Sequence, residues 1–275
     1  MLCCTAPHGL HGAAVTLPYP SVGATENLLI AAAGIPAETR LSGAAAEPEI
    51  TDLIEFLQKC GAKIEPQTDG SLLVQGRARL SGCCHTVLPD RIEAATYLAA
   101  AAITGGSITV HTCPSHLAAP MAVLRRMGCY IQTEEHSITL RAPERLTGAG
   151  SIVTLPYPGF PTDLQAIFMA LAAAAEGYAT VTETVFPRRW AHVEELRRMG
   201  ADITVAGNCA VIRGVPLTGA AVTCTDLRAG AAVALAALAT AGESTVTALS
   251  HIERGYADFV PTLRALGADI TITEV

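Results

Sequence analysis

The feature that most constrains this 275-residue chain is a pattern that occurs four times. Each copy joins an Ala-rich apolar stretch, a polar turn, a charged stretch with helical spacing, a glycine and a short β-branched stretch. The glycines are Gly61, Gly128, Gly200 and Gly267, and the steps between them are 67, 72 and 67 residues. A period this regular predicts one supersecondary unit that is used four times. We therefore expect function to reside where the copies differ.

Each copy is predicted to contain a strand, a helix, a second strand, a second helix and a closing pair of strands. In the first copy, strands are predicted at 15–17, 39–41 and 72–74, and helices at 25–33 and 50–60. The first helix of each pair is apolar on nearly all sides and is predicted to be buried, whereas the second is amphipathic. Helices inside and strands outside predict an α/β fold, an inside-out α/β barrel of repeated βαβαββ units. The later helix pairs are 94–104 with 121–127, 163–176 with 191–199 and 227–241 with 256–266. Each pair is followed by a glycine-containing segment, ending at Ile131, Ile203 or Ile270, where a short β-branched strand is predicted.

The four copies are predicted to divide into two domains with a boundary near Pro89. Residues 1–88 would be the remnant of a first domain with one complete unit, and residues 89–275 a second domain with three units. Residues 1–14 look like the tail of a preceding unit, so the first domain is expected to be truncated.

Composition narrows the class of protein. The net charge of −7 argues against a general nucleic-acid surface. The longest apolar run, 229–241, is too short to span a bilayer, and the first residues lack the basic stretch of a signal peptide. Nine cysteines without a Cys-x-x-Cys pair indicate reduced thiols. We therefore expect a cytoplasmic protein that binds neither membrane nor nucleic acid.

The loops that enter the predicted buried helices carry most of the unusual side chains. Helix N-termini present free N–H groups and the positive end of the helix dipole, so such loops bind anions readily. A simpler alternative is that Thr25, Thr162 and Thr225 are N-caps and that Asp163 and Asp226 only favour a first helical turn. Four related loops at equivalent places favour a shared site. The loops are 20–27, 88–93, 158–165 and 224–228.

Several segments, in order over nearly the whole chain from Gly9, resemble the enolpyruvyl transferases, in particular the members that act on UDP-N-acetylglucosamine. The sister branch that acts on shikimate 3-phosphate shares the fold, but its serine pattern for the shikimate phosphate is not found. Gly-Ala-Thr-Glu-Asn at 23–27 stands where those contacts would be expected. The matching segments are 21–27, 47–50, 89–94, 157–165, 182–184, 192–196, 225–229 and 254–256.

The resemblance implies transfer of the enolpyruvyl group of phosphoenolpyruvate to the 3-hydroxyl of UDP-N-acetylglucosamine, in peptidoglycan precursor synthesis. Asp163 matches the aspartate that contacts this hydroxyl and is a candidate general base. Arg254 matches an arginine that closes onto phosphoenolpyruvate, and Asp226 and Arg228 match residues that line the same region. Arg189 aligns with a further substrate-binding arginine. No cofactor is implied.

The resemblance also implies contacts to the nucleotide sugar. Tyr19, Pro20, Ser21 and Val22 match one stretch that binds it, and Val185 matches another contact. A basic residue often stands at position 19 in the family, so Tyr19 is a departure that would weaken one phosphate contact.

Other interpretations remain open for several charged residues. Arg254 could be a surface arginine after a turn, and Arg188 with Arg189 a solvated pair before a helix. Glu47 and Glu49 are either site residues or charges at a helix N-terminus.

A metal site is not predicted. His111, Cys113 and His116 have ligand side chains, but they fall in one loop without a second cluster.

The resemblance further implies that roughly the N-terminal third of a family member is lacking here. In the family, that part supplies a Lys-Asn pair and two arginines for phosphoenolpyruvate, and the loop with the Cys or Asp that acts as an acid. Three interpretations follow: an enzyme whose missing part is supplied in trans, an inactive nucleotide-sugar-binding remnant, or the product of a broken reading frame. The chain alone is expected to be catalytically incomplete.

Overall fold

The computed structural model describes Cys3 and residues 5–273, which form two compact units. Unit 1 contains the described residues up to Leu88 together with Pro156–Pro158. Unit 2 contains Pro89–Leu155 and the described residues from Gly159 onward. Among all the described residues of both units, no helix is long and apolar enough to cross a membrane.

Unit 1 is a four-stranded sheet with two helices, and its elements agree with the prediction for the first copy. The sheet order is β1-β2-β4-β3, with β1 parallel to β2 and the other pairs antiparallel. Leu29, Leu41 and Val74 lie in its small core, while Ile30 remains 56% exposed. The elements are β1 Ala14–Thr16, α1 Val22–Ala33, β2 Glu38–Ser42, α2 Pro48–Lys59, β3 Lys63–Pro66 and β4 Leu72–Gln75.

Unit 2 contains three further copies of the repeat. Its elements are α3 Arg91–Ile103, β5 Ser107–His111, α4 Ala118–Arg126, β6 Tyr130–Thr133, β7 Ser137–Arg141, β8 Gly150–Val153, α5 Gln165–Ala174, β9 Tyr178–Thr182, α6 Ala191–Arg198, β10 Asp202–Ala206, β11 Cys209–Arg213, β12 Ala221–Thr223, α7 Leu227–Leu238, β13 Thr245–Thr247, α8 Ser250–Glu253 and α9 Phe259–Ala265.

The three Ala-rich helices of unit 2 pack against one another at its centre, and the sheets lie outside them. Every residue of α5 except Ala174 is buried, and α3 and α7 are nearly as enclosed. Alanine side chains allow this close approach, because they fill little space between helix axes. The amphipathic α6 buries His192, Val193, Glu195 and Leu196 and leaves its other side to solvent. The predicted inside-out arrangement is confirmed.

The copies in unit 2 are less uniform than predicted. The third has the full sheet β8-β9-β11-β10, whereas the second has only β5-β7-β6 and the fourth only β12-β13. The strand predicted after Gly267 was wrong, since 267–273 contains no strand. In the third copy, β10 is held by β11, which lies between it and β9. No described residues fill the place of β11 in the fourth copy, so the segment around Ile270 lacks a ladder partner.

The second helix of the fourth copy also begins later than predicted. It starts at Phe259 rather than at 256, because Asp258 has a left-handed backbone with φ of 51° that separates α9 from the short α8.

Candidate functional site

Asp163 lies at the entrance of the buried helix α5, in a short 3₁₀ turn formed by Thr162–Leu164. Its Oδ1 accepts a hydrogen bond from Arg189 Nη1 at 2.8 Å, and its Oδ2 accepts one from Arg228 Nη2 at 2.9 Å. The arginine side chains are 23% and 13% exposed and the Asp163 side chain 38%, so both contacts are only partly shielded from bulk water. The structure thus gathers one carboxylate and two guanidinium groups at this entrance.

Arg228 is fixed by the helix that carries it. It is the second residue of α7, whose N-cap is Asp226, and the Asp226 carboxylate accepts from the backbone N–H groups of Arg228 and Ala229 at 2.9 Å each. Arg228 Nη1 donates to Tyr256 Oη at 3.1 Å, and Tyr256 Oη lies 2.9 Å from Thr96 Oγ1 on α3. Asp226 therefore caps the N-terminus of α7 and fixes the backbone of Arg228.

Arg189 is held from a second direction. Its Nη1 also donates to Thr162 Oγ1 at 3.0 Å, and Thr162 Oγ1 donates to Glu183 Oε2 at 2.9 Å. Glu183 is fully buried at the end of β9, and its Oε1 accepts from the backbone N–H groups of Val185 and Phe186 at 2.8 and 2.9 Å. One carboxylate thus fixes the Val185 turn and, through Thr162, the Arg189 side chain.

The charges around Asp163 determine its protonation. Burial raises the pKa of Asp163, but the neighbouring Arg228 and Arg189 outweigh this, so the pKa lies below its usual range. Burial also raises the pKa of Tyr256. Asp163 is therefore a carboxylate at neutral pH and Tyr256 a neutral phenol, and the group carries a net charge of one positive unit.

The alternative interpretation of Thr25, Thr162 and Thr225 as helix N-caps was wrong. The N-caps are Ser21 for α1, Asp90 for α3 and Asp226 for α7, each with a side-chain oxygen that accepts from the first helical turn. Thr25 lies inside α1, where its Oγ1 accepts from Ala45 N at 3.0 Å. Thr162 lies inside the 3₁₀ turn rather than before it. An aspartate or a serine accepts these N–H groups as well as threonine does, so sequence alone did not separate the candidates.

The other residues that the resemblance singled out do not belong to the hydrogen-bonded group around Asp163. Tyr19, Pro20, Ser21 and Val22 are in unit 1, where Ser21 Oγ accepts from Ala24 N at 3.3 Å. Arg254 is the C-cap of α8, and its exposed side chain has no hydrogen bond or ion pair with any described residue.

The structure distinguishes the interpretations left open for two pairs of charged residues, Arg188 with Arg189 and Glu47 with Glu49. Arg188 is exposed, whereas Arg189 binds Asp163, so the interpretation of both as a solvated pair was wrong for Arg189. Glu47 and Glu49 do lie at the start of α2, Glu47 as its N-cap. Glu47 makes no cap hydrogen bond; its Oε1 accepts from Tyr157 N at 3.3 Å.

Buried His192 lies next to this site on α6. Burial lowers the pKa of His192 to about 4, so its ring is neutral at pH 7. Its Nε2 lies 3.2 Å from Met169 Sδ on α5.

Among the described residues, no group of three or more His, Cys, Asp or Glu side chains is arranged to hold a metal ion.

Glu183 and Tyr256 had no role assigned from the sequence, and Thr162 was considered only as an N-cap. The available signal was an acidic residue within the β-branched run Thr-Val-Thr-Glu-Thr-Val at 180–185. A carboxylate placed there at the end of a buried strand requires several donors, because a buried charge without them is costly.

Comparison with known proteins agrees with this fold. Residues 3–263 match the family described as EPSP synthase (3-phosphoshikimate 1-carboxyvinyltransferase). The enolpyruvyl transferase NikO from Streptomyces tendae superimposes with a TM-score of 0.87 at 26% identity, over 98% of this chain and 68% of that one. EPSP synthase from Acinetobacter baumannii superimposes with a TM-score of 0.74 at 20% identity, over 97% of this chain and 64% of that one, and supports the fold alone.

The curated relatives are also named as carboxyvinyltransferases, but their names give UDP-N-acetylglucosamine in place of 3-phosphoshikimate. The UDP-N-acetylglucosamine 1-carboxyvinyltransferase of Finegoldia magna is 48% identical over 98% of this chain and 64% of its own length. The UDP-N-acetylglucosamine 1-carboxyvinyltransferase 1 of Symbiobacterium thermophilum is 48% identical over 97% of this chain and 61% of its own length. The chain thus spans less than two thirds of these two relatives. By its match over residues 3–263, the chain belongs to the EPSP synthase family of carboxyvinyl transferases.

Proposed function

We propose that this chain is the larger part of an enzyme that transfers the enolpyruvyl group of phosphoenolpyruvate to the 3-hydroxyl of UDP-N-acetylglucosamine, with release of phosphate. The observation that carries the proposal is the Asp163 carboxylate between Arg189 and Arg228 at the entrance of α5. The names of the relatives at 48% identity support this substrate.

The chemistry of the group fits the reaction. Phosphoenolpyruvate carries a carboxylate and a phosphate, and guanidinium groups bind both through paired hydrogen bonds. Asp163 is the acceptor for the proton of the attacking hydroxyl. In the structure both of its oxygens are occupied by arginines and its pKa is low, which makes it a weak base. Substrate anions that engage Arg189 and Arg228 would release the carboxylate and raise its pKa toward the working range.

The remaining roles rest on the family resemblance. We assign Arg254 to phosphoenolpyruvate, Val185 to the nucleotide sugar and Tyr19–Val22 to the same ligand. The exposed Arg254 side chain is free to turn toward an anion. Glu183 supports the Val185 assignment because it fixes the backbone of that turn.

We further propose that a segment corresponding to the N-terminal third of the relatives completes the enzyme, in cis or in trans. The fourth copy supports this, because no described strand takes the place that β11 has in the third. A cavity of about 860 Å³ opens there, lined by residues that include Val246 of β13 and Ile270 and Ile272 of the unpaired segment. A β-strand in this space would satisfy the free edge of β13.

Two alternatives remain within the same fold: an inactive nucleotide-sugar-binding protein, and transfer to shikimate 3-phosphate. The first shares the binding site but lacks turnover, and the second differs in substrate.

For the compartment of this protein we propose the cytoplasm, since the eight described cysteines are free thiols.

Phosphate release from phosphoenolpyruvate tests the function. With UDP-N-acetylglucosamine present, the chain alone should give no turnover, since no acid for the methylene carbon is assigned to it. Adding the N-terminal segment of the Finegoldia magna relative should restore release, and Asp163→Ala should abolish it. Turnover by the chain alone, or release that depends on shikimate 3-phosphate instead, would contradict the proposal.

A further inference from the structure

Two cysteines of unit 1 lie in contact at the C-terminal end of α2. Cys60 is the C-cap of this helix and is buried, and Cys83 follows 23 residues later in a segment without regular structure. Their Sγ atoms are 3.5 Å apart. Nothing in the proposed transfer reaction uses either thiol.

The contact is supported by hydrogen bonds on both sides of Cys83. On one side, Ser81 donates to the carbonyl oxygen of Cys60 through its backbone N at 2.8 Å and its Oγ at 3.1 Å. On the other side, His85 Nε2 lies 3.0 Å from Asp52 Oδ1, and Lys59 Nζ lies 3.0 Å from His85 Nδ1. The segment 81–85 is thereby held along α2, and the two sulfurs meet through this backbone placement.

We propose that Cys60 and Cys83 form a reversible dithiol–disulfide site. The co-reactant is a low-molecular-weight disulfide such as oxidised glutathione. The Cys83 thiolate attacks one sulfur of this disulfide and releases one thiol. The Cys60 thiolate then attacks the Cys83 sulfur of the mixed disulfide and releases the second thiol. The two protein thiols lose two hydrogens, and the small disulfide gains them.

The environments of the two sulfurs favour this order of steps. Burial raises the pKa of Cys60, and the neighbouring Cys83 raises it further, so Cys60 remains a thiol when oxidant first arrives. Cys83 is partly exposed and can meet the small disulfide. Buried Cys129 and Cys224, whose pKa values burial raises to about 11, are expected to stay unreactive.

The cross-link has a mechanical consequence for unit 1. It would fasten the segment 81–85 to α2 and close a loop of the chain, which lowers the conformational entropy of the unfolded state. We therefore expect oxidation to raise the melting temperature of unit 1 by several degrees, and dithiothreitol to reverse the change.

Peptide mapping tests the proposal on the whole chain. After incubation with oxidised glutathione, free thiols are blocked with iodoacetamide and the protein is denatured and digested with trypsin. The peptide 60–63 should appear linked to the peptide 80–91, with a mass two hydrogens below the sum of the two, and dithiothreitol should separate them.

The matched control is Cys84→Ser, because Cys84 is exposed, adjacent to Cys83 and in the same tryptic peptide. The link and the rise in melting temperature should persist in Cys84→Ser and be lost in Cys83→Ser and in Cys60→Ala. Loss of the link in Cys84→Ser, an undiminished link in Cys83→Ser, or no linked peptide in the wild-type chain would overturn the assignment.

Discussion

Arg228 Nη2 donates to Asp163 Oδ2 at 2.9 Å across 65 residues of sequence. This hydrogen bond joins the entrances of α5 and α7, the buried helices of two different copies of the repeat. The inside-out packing makes the contact possible, because it brings the starts of the central helices together. The copies therefore place their unlike residues at one location, and the candidate site lies there.

The pH dependence of stability should reveal the ion pairs of Asp163. Because its folded pKa lies below the unfolded value of about 3.9, its stabilising effect is present above that value and is lost as pH falls through the folded pKa. At pH 6 the free energy of unfolding of the wild type should exceed that of Asp163→Asn by about 1 kcal/mol. The difference is modest because the carboxylate is partly exposed to solvent. Urea denaturation between pH 2.5 and 7 measures this; a difference that grows toward low pH would contradict it.

Glu183→Ala should be among the most destabilising single changes outside the apolar core. It removes the acceptor of two partly buried backbone N–H groups and of the Thr154 and Thr162 hydroxyls, which should lower the free energy of unfolding by about 3 kcal/mol. Glu194→Ala is the control, since that side chain is 70% exposed and should cost under about 0.5 kcal/mol. Equal denaturation midpoints for the two variants would show that Glu183 does not hold this turn.

His192 should make unit 2 less stable in mild acid. Its folded pKa of about 4 lies below the unfolded value of about 6.5, so only the unfolded state gains a proton as pH falls between these values. The decrease in the free energy of unfolding should approach about 3 kcal/mol at pH 4, and it should be absent in His192→Gln. The exposed His136 offers the control variant His136→Gln, which should keep the full pH dependence. Thermal melts from pH 4 to 8 measure all three proteins.

Limited proteolysis should cut the chain first between the two units. Residues 76–90 contain no helix or strand, and Arg79 is exposed there, whereas Arg91 is 7% exposed at the start of α3. Trypsin should therefore cut after Arg77 or Arg79 and leave a C-terminal fragment that contains residues 91–265. Early cuts within 91–265 would contradict the predicted domain at 89–275.

The sequence predicted the repeats and the inside-out arrangement, because apolar periodicity depends on local spacing. Gly61 and its three counterparts marked the helix ends correctly, since each adopts a positive φ after a helix. The prediction of a strand after Gly267 failed because pairing depends on a partner elsewhere in the chain. The pattern of this segment matches that of β10, but the counterpart of β11 is lacking among the described residues.

The candidate site was predicted in part. Asp163 and Arg228 stand in equivalent helix entrances and could be expected to meet. The link from Arg189 through Thr162 to Glu183 spans 27 and 21 residues, and no spacing rule predicts such a path. Residue 256 was predicted only as the start of a helix, and the fold directs the Tyr256 hydroxyl to Arg228 and Thr96.

Calorimetric titration with UDP-N-acetylglucosamine tests the central claim most directly. The wild-type chain should bind this ligand and not shikimate 3-phosphate, and Asp163→Ala should weaken binding at least tenfold, or about 1.4 kcal/mol. Asp202→Ala is the matched control, since this surface carboxylate pairs with Arg213 and lies on β10. Unchanged affinity in Asp163→Ala, or binding of shikimate 3-phosphate in place of the nucleotide sugar, would contradict the account.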